Sequence, residues 1–240
     1  MGIGGFNHFC NNGPFQTIKN WFEKIKSSYV DVFTVETKSY YEALKNTSVF
    51  KNRIEYLPNG VSLLDIDLTE LDTLPKENIV VTVGRLGTYE KNNSLLLNAI
   101  RNLPIELVKN WKFLLIGPST QEFSKEVALF KEKNPAIANC INMTGEINNR
   151  NTLYSYLRRA KIICMTSLSE STCISTLEGM YFGTYPVITN YSDFTLDTTN
   201  NNKVGCIVEN KNINALVSSL KHIMSDDNLY CKGLESQFYV

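Results

Sequence analysis

From Asn78 to the C-terminal part of the chain, short apolar runs alternate with longer segments of helical period, and this alternation restricts the fold more than any other feature. The apolar runs are IVVTVG, WKFLLIG, CINMTG, KIICM, YPVIT and GCIVE. Between them lie helical patterns at 94–103, 121–132, 151–160 (with Leu153, Tyr156 and Leu157 inward), after Ser171, and at 213–224. A repeated strand–helix order implies an α/β protein: a doubly wound, mainly parallel, Rossmann-like sheet with helices on both faces.

The first 60 residues read differently. MGIGG does not space its glycines as a dinucleotide loop and no strand precedes it, so it reads as a loose N-terminus. Trp21, Phe22 and Ile25 lie at helical spacing, 30–35 is rich in β-formers, 37–44 is again helical, and the strand IEYL runs into the turn Pro58-Asn59-Gly60. Residues 63–78 are acidic and irregular, as an interdomain connection would be.

Composition removes several classes of function. At 240 residues with 43% hydrophobic content the chain can bury a core. Lys+Arg and Asp+Glu are both 24, so no overall basic field points to nucleic acid. The six cysteines are scattered without a Cys-x-x-Cys, and the two histidines are His8 and His222, a pattern that suits neither a disulfide scaffold nor a zinc site. No metal is expected. Without an apolar run of ~20 residues or a signal peptide, the default compartment is the cytoplasm.

Chemistry concentrates in SLSESTCISTLEGMYFGTYP, residues 167–186. It follows the strand KIICM and enters a helix with Ile174, Leu177, Met180 and Tyr181 at helical spacing; Ser171 or Thr172 is the expected N-cap. A strand, a polar turn and a helix place free amides and the positive end of a helix dipole at the carboxyl edge of a sheet, where anions bind. Glu170 and Glu178 bracket that terminus and would repel a bare phosphate, so a hydroxyl-rich ligand is expected. Two glutamates eight positions apart are, taken alone, more often an exposed helix face than a site. A second cluster lies in VGRLGTYEKNN, where Gly84 ends a strand, Arg85 follows at the same edge and Lys91 comes six residues later, two cations suited to a diphosphate.

The spacing Glu, seven residues, Glu, followed by a small residue, an apolar pair and Gly-x-Pro, resembles the nucleotide-sugar motif of family 4 retaining glycosyltransferases of the GT-B fold. In that family the first glutamate contacts the donor sugar, the amides of the turn reach sugar and phosphate, and the second glutamate binds the ribose diol. The resemblance implies these roles for Glu170, for Ser171, Thr172, Cys173 and Ile174, and for Glu178. Where the family often has Phe-Gly, this chain has Thr172 and Cys173. It likewise implies that Gly84, Arg85 and Lys91 bind the diphosphate and that Gly145 and Ile147, in MTGEI, pass the nucleobase. LPNGV and LIGP are similar to further family segments, the former at the junction between the two halves.

The resemblance therefore implies a GT-B protein with a truncated N-terminal half: residues 1–62 as a remnant of the acceptor-side domain and 63–240 as the nucleotide-sugar-binding domain. The expected function is retaining transfer of a sugar from a nucleoside-diphosphate-sugar donor, itself a substrate and not a cofactor, to a glycan, lipid-linked or small-molecule acceptor. Arg85, Lys91 and Glu170 are the expected catalytic residues, and His8 receives no role. A chain lacking most of the acceptor half invites an alternative, a non-catalytic nucleotide-sugar-binding module that acts beside a partner subunit or in peripheral contact with a membrane. A nicotinamide oxidoreductase shares the fold class but would need Gly-x-Gly-x-x-Gly after the first strand and an acidic residue downstream, and neither is present.

Overall fold

The structure is a computed structural model and describes residues 29–47, 50, 53–64, 66, 68–69 and 73–240. The expectations for the glycine-containing start, the Trp21 helix and His8 lie outside these residues. The chain divides into two compact units, Met1–Asn59 and Gly60–Val240, three residues ahead of the boundary expected from sequence.

In the first unit β1 (Phe33–Val35), α1 (Lys38–Leu44) and β2 (Ile54–Tyr56) form a small βαβ arrangement. The two strands pair in parallel, with Phe33 opposite Ile54. Thr37 caps α1, its hydroxyl accepting from the Tyr40 amide at 3.3 Å. β1 is half the length of the β-rich run that announces it.

The second unit is the sheet. Its strands are β3 (Glu77–Val83), β4 (Lys112–Ile116), β5 (Ile141–Gly145), β6 (Ala160–Met165), β7 (Tyr185–Thr189) and β8 (Cys206–Val208). They lie in the order β5-β4-β3-β6-β7-β8, every neighbouring pair parallel. Successive side chains alternate between faces, and each face is apolar. Val80, Phe113, Leu115, Ile162, Cys164 and Val187 enter one core together with α2 (Asn93–Asn102), α4 (Gln121–Lys133) and α8 (Ile213–Met224). Ile79, Val81, Leu114, Ile116, Ile163 and Met165 enter the other with α5 (Arg150–Arg159) and the end of α6 (Ile174–Tyr181). Apolar residues on both faces explain why the strands read as continuous hydrophobic runs.

On α5 the buried side chains are Tyr154 and Leu157, whereas Leu153 and Tyr156 are half-buried. The expected inward set is thus corrected by one residue. Three helices have no sequence signal: α3 (Ile105–Lys109), α7 (Phe194–Thr198) and α9 (Leu229–Tyr239). The first two are single short turns. α9 buries Leu229, Gly233 and Ser236, a face of mostly small residues with no apolar stripe. Gly233 is needed there because a Cβ would sit 2.4 Å from the Gly183 carbonyl oxygen.

The carboxyl ends of β3, β4 and β5 finish in glycines of positive φ, at Gly84, Gly117 and Gly145. The Gly84 amide donates to the Ile116 carbonyl and the Gly117 amide to the Gly145 carbonyl, both at 2.9 Å. A Cβ on Gly117 would lie 2.0 Å from the Gly84 oxygen, while one on Gly145 would meet nothing within 4 Å. At the opposite end of the sheet the Lys76 ammonium position is enclosed, with Nζ 2.6 Å from the carbonyl oxygens of both Ala160 and Phe182. Burial, assisted by nearby Arg158, pushes its pKa down to about 6. A neutral amine has two N–H groups, and the two carbonyls accept both.

Gly117→Ala should therefore destabilise the protein by at least about 2 kcal/mol, since left-handed strain adds to a backbone overlap, whereas Gly145→Ala should cost about 1 kcal/mol; urea unfolding compares the two. Equal losses would contradict the close approach at Gly117. Lys76 generates a pH dependence. The unfolded lysine binds its proton near 10.5 and the folded one only near about 6, so between these values the unfolded chain holds more protons and stability rises with pH. The slope reaches at most about 1.4 kcal/mol per pH unit. Lys76→Met should remove this component from unfolding curves recorded between pH 6.5 and 9.

Candidate functional site

The order of the sheet reverses between β3 and β6, so the loops leaving these two strands diverge and open a crevice beyond their carboxyl ends. A cleft of about 310 Å³ lies there, lined by Val83, Gly84, Lys91, Glu170 and residues 171–175. Two stretches that are some 80 residues apart in sequence thus meet at one place.

Hydrogen bonds between the two loops fix their separation. The Thr166 hydroxyl donates to the carbonyls of Lys91 at 3.2 Å and Asn92 at 3.0 Å, and the Leu168 amide donates to the Glu90 carbonyl at 2.7 Å. Asn92 takes a left-handed conformation, φ 46°, which turns the chain into α2. The Lys91 side chain reaches back over Gly84: a Cβ on this glycine would approach Lys91 Cε to 3.1 Å.

Lys91 Nζ forms an ion pair with Glu170 Oε1, which also accepts from the Ser167 hydroxyl at 2.8 Å. The two charged side chains are only 15% and 16% exposed. Such a pair is costly to break by deleting one partner, because the remaining charge is left partly buried.

α6 starts differently from the sequence expectation. Its N-cap residue is Cys173, not Ser171 or Thr172, and no side chain caps it. Cys173 stands where the resembling motif has glycine, and it adopts the left-handed backbone that glycine would supply, φ 43° and ψ 65°. The amides at the start of α6 therefore receive no side-chain cap, and Ile174 and Ser175 both line the cleft. The Cys173 thiol is buried and accepts from the Thr176 hydroxyl at 3.2 Å. Burial, then the neighbouring Glu170 carboxylate, pushes its pKa up, so the sulfur stays a thiol.

Four residues further along α6, on the same side as Ile174, lies Glu178, only 6% exposed. Its Oε1 accepts from Arg150 Nη2 at 2.6 Å and from the Tyr154 hydroxyl at 2.9 Å. Tyr154 is fully buried, and its hydroxyl also lies 3.3 Å from the Ser62 carbonyl. Burial, then Glu178, pushes its pKa up to about 12, so it remains a donor at any physiological pH.

The cleft therefore brings together Gly84, Lys91, Glu170, Ser171, Thr172, Cys173 and Ile174. Arg85 is exposed at the same edge but outside the cleft lining, and Glu178 sits a turn behind it. Gly145 and Ile147 follow β5, two strands away from β3. Sequence reasoning overlooks Ser167, Ser175, Arg150 and Tyr154. Arg150 carries one usable signal: a cation in the first turn of a helix opposes the helix dipole and calls for a carboxylate from elsewhere. Among the described residues, no cluster of three His, Cys, Asp or Glu side chains is placed to hold a metal ion, and no helix is long and apolar enough to cross a membrane.

Comparison with known proteins places this geometry. A curated N-acetylgalactosaminyltransferase of Campylobacter jejuni, acting on a GalNAc–GalNAc–diNAcBac-diphosphate-undecaprenol, is 26% identical over 223 residues, which is 91% of this chain and 58% of that protein. The chain thus spans less than two thirds of the curated relative. Anabaena HepE in complex with UDP and glucose superposes with a TM-score of 0.68 at 13% identity, covering 92% of this chain and 61% of that one. The C-terminal domain of the group 1 glycosyltransferase LpcC from Francisella tularensis gives a TM-score of 0.57 at 19% identity, with 71% of this chain and 88% of that domain covered. These likenesses identify the sheet as the nucleotide-binding half of a GT-B fold. The family model for glycosyl transferases group 1 matches residues 68–234, and the chain belongs to that family.

Proposed function

We propose that this protein binds a nucleoside-diphosphate-sugar at the β3/β6 cleft and transfers the sugar with retention of anomeric configuration. The observation that carries this reading is the meeting of a cation, a carboxylate and the start of an uncapped helix in one cleft. An ammonium and helix amides suit the diphosphate, and a carboxylate with no donor of its own suits sugar hydroxyls. Lys91 has three N–H groups, so it can keep one on Glu170 and direct another to a phosphate oxygen. The same contact would order both the sugar and its leaving group.

Chemically, the bond between the anomeric carbon and the β-phosphate oxygen breaks, the electron pair leaves with the diphosphate, and an acceptor hydroxyl adds to the same face while losing its proton. Positive charge gathers on the sugar ring and negative charge on the departing phosphate. Lys91 and the start of α6 stabilise the latter, with Arg85 near enough along the edge to join them, so these groups supply the charge that a metal ion provides in other transferases. Glu178 accepts from the ribose, and the loop bearing Gly145 and Ile147 meets the base. The complex of HepE with UDP and glucose, and the polyprenyl-diphosphate-linked glycan in the name of the Campylobacter relative, favour a UDP-sugar donor and a lipid-linked acceptor, met at a membrane surface or with a partner subunit.

Lys91→Ala should weaken binding of UDP by about 1.5–3 kcal/mol and leave uridine binding unchanged, since only the contact to phosphate is lost. Calorimetric titration with UDP, GDP and ADP, each beside its nucleoside, checks both the base and the role of Lys91. Equal loss for nucleoside and diphosphate would remove Lys91 from the phosphate site. Glu170→Gln should retain UDP affinity within about threefold while transfer from the sugar nucleotide falls at least about a hundredfold, the scale for losing one electrostatic partner of the reacting centre.

A further inference from the structure

The Glu178 carboxylate has an asymmetry that its position in the motif does not explain. Both of its protein donors, Arg150 Nη2 and the Tyr154 hydroxyl, fall on Oε1, while Oε2 takes no donor from the described residues. One carboxylate oxygen with two acceptor sites is thereby filled, and the other is kept open. The donors come from one helix, α5, where Arg150 and Tyr154 are four positions apart on one side. Arg150 also lies over the Tyr154 ring, its guanidinium carbon 5.5 Å from the centroid. Its side chain is 54% exposed and that of Glu178 8%, so a cation at the surface reaches inward to a buried anion.

Resting on the reading that Glu178 receives the ribose of the donor, we propose that Arg150 is a positioning residue that sets ribonucleotide selectivity: it holds Oε1 so that Oε2 alone faces the ribose hydroxyls. A carboxylate held by one donor can rotate about its last torsion and spread its acceptors. Held by two donors on one oxygen, and with the arginine stacked on the second donor, its plane is fixed. The hydroxyls then meet an acceptor whose direction is set before binding, and this preorganisation favours the ribose over a deoxyribose. Tyr154 is anchored by the core and by Ser62, so its contribution is built into the fold, whereas Arg150 is the adjustable member of the pair.

The test measures the affinities of the full chain for UDP, GDP and ADP, each against its 2′-deoxy form, with Arg150→Met, Arg150→Lys and Lys91→Ala beside the original protein. The original protein should prefer the ribonucleotide of its cognate base by about tenfold or more, the scale of a lost hydrogen bond to a charged group. Arg150→Met should reduce that preference to under about threefold, mainly by weakening ribonucleotide binding, and Arg150→Lys should restore most of it. Lys91→Ala should weaken both members of a pair equally and keep their ratio. A thermal melt of each variant accompanies the titrations, and should Arg150→Met not fold, Tyr154→Phe replaces it with the same expected fall. An unchanged ratio in the folded variant overturns the role of Arg150 while leaving Glu178 as the ribose acceptor. No preference in the original protein, or no binding of any of the three diphosphates, overturns the ribose reading itself and this inference with it.

Discussion

The parallel pairing of β3 with β6 is the interaction on which the rest depends. It aligns Val80 with Ile162 and Val81 with Ile163, two adjacent pairs that feed opposite cores, so both faces of the sheet are continuous through this one seam. The same pairing brings the loop after Val83 beside the loop after Met165. Because the neighbouring strands run outward from this seam in opposite directions, no helix crosses over it, and a crevice is left. Thr166 and Leu168 then tie the loops together through hydrogen bonds to backbone carbonyls, so the cleft keeps its width without relying on any charged contact.

Charge is handled in the cleft by pairing at short range. Lys91 is matched by Glu170, and Glu178 by Arg150, each pair uniting residues from different loops or helices. The pairs differ in their exposure. Lys91 and Glu170 are enclosed to a similar extent, so either one left alone would be strained electrostatically, and a ligand that offers an anion and hydroxyls together is the natural third partner. Arg150 remains half in water, which lets it release or hold Glu178 at lower cost. A buried lysine without a carboxylate, Lys76, is tolerated at the far end of the sheet only because two carbonyls receive its N–H groups.

The α/β class, six strands and their buried character were legible because each strand is apolar on both faces and each intervening segment has helical period, signals that survive without knowledge of neighbours. Lys91, Glu170 and the turn from Ser171 to Ile174 were legible as a site because their motifs fall at strand carboxyl ends, and the structure brings them to one cleft. What escaped notice lacks a local signature. α9 packs by small residues, Tyr154 replaces Leu153 and Tyr156 in the core, and the N-cap moves to Cys173, whose left-handed backbone no propensity favours.

The sequence by itself determined the alternation of elements, the location of glycines at strand ends and the chemical types available at the sheet edge, since each of these follows from periodicity and from which residues tolerate a positive φ. Only the tertiary structure decided that Glu170 meets Lys91, that Glu178 is enclosed by Arg150 and Tyr154, and that Arg85, Gly145 and Ile147 fall outside the cleft lining. The reason is physical: such pairings join residues separated by 24 to 79 positions, and their geometry is set by strand order and helix placement, which arise from the packing of two cores and not from any one segment.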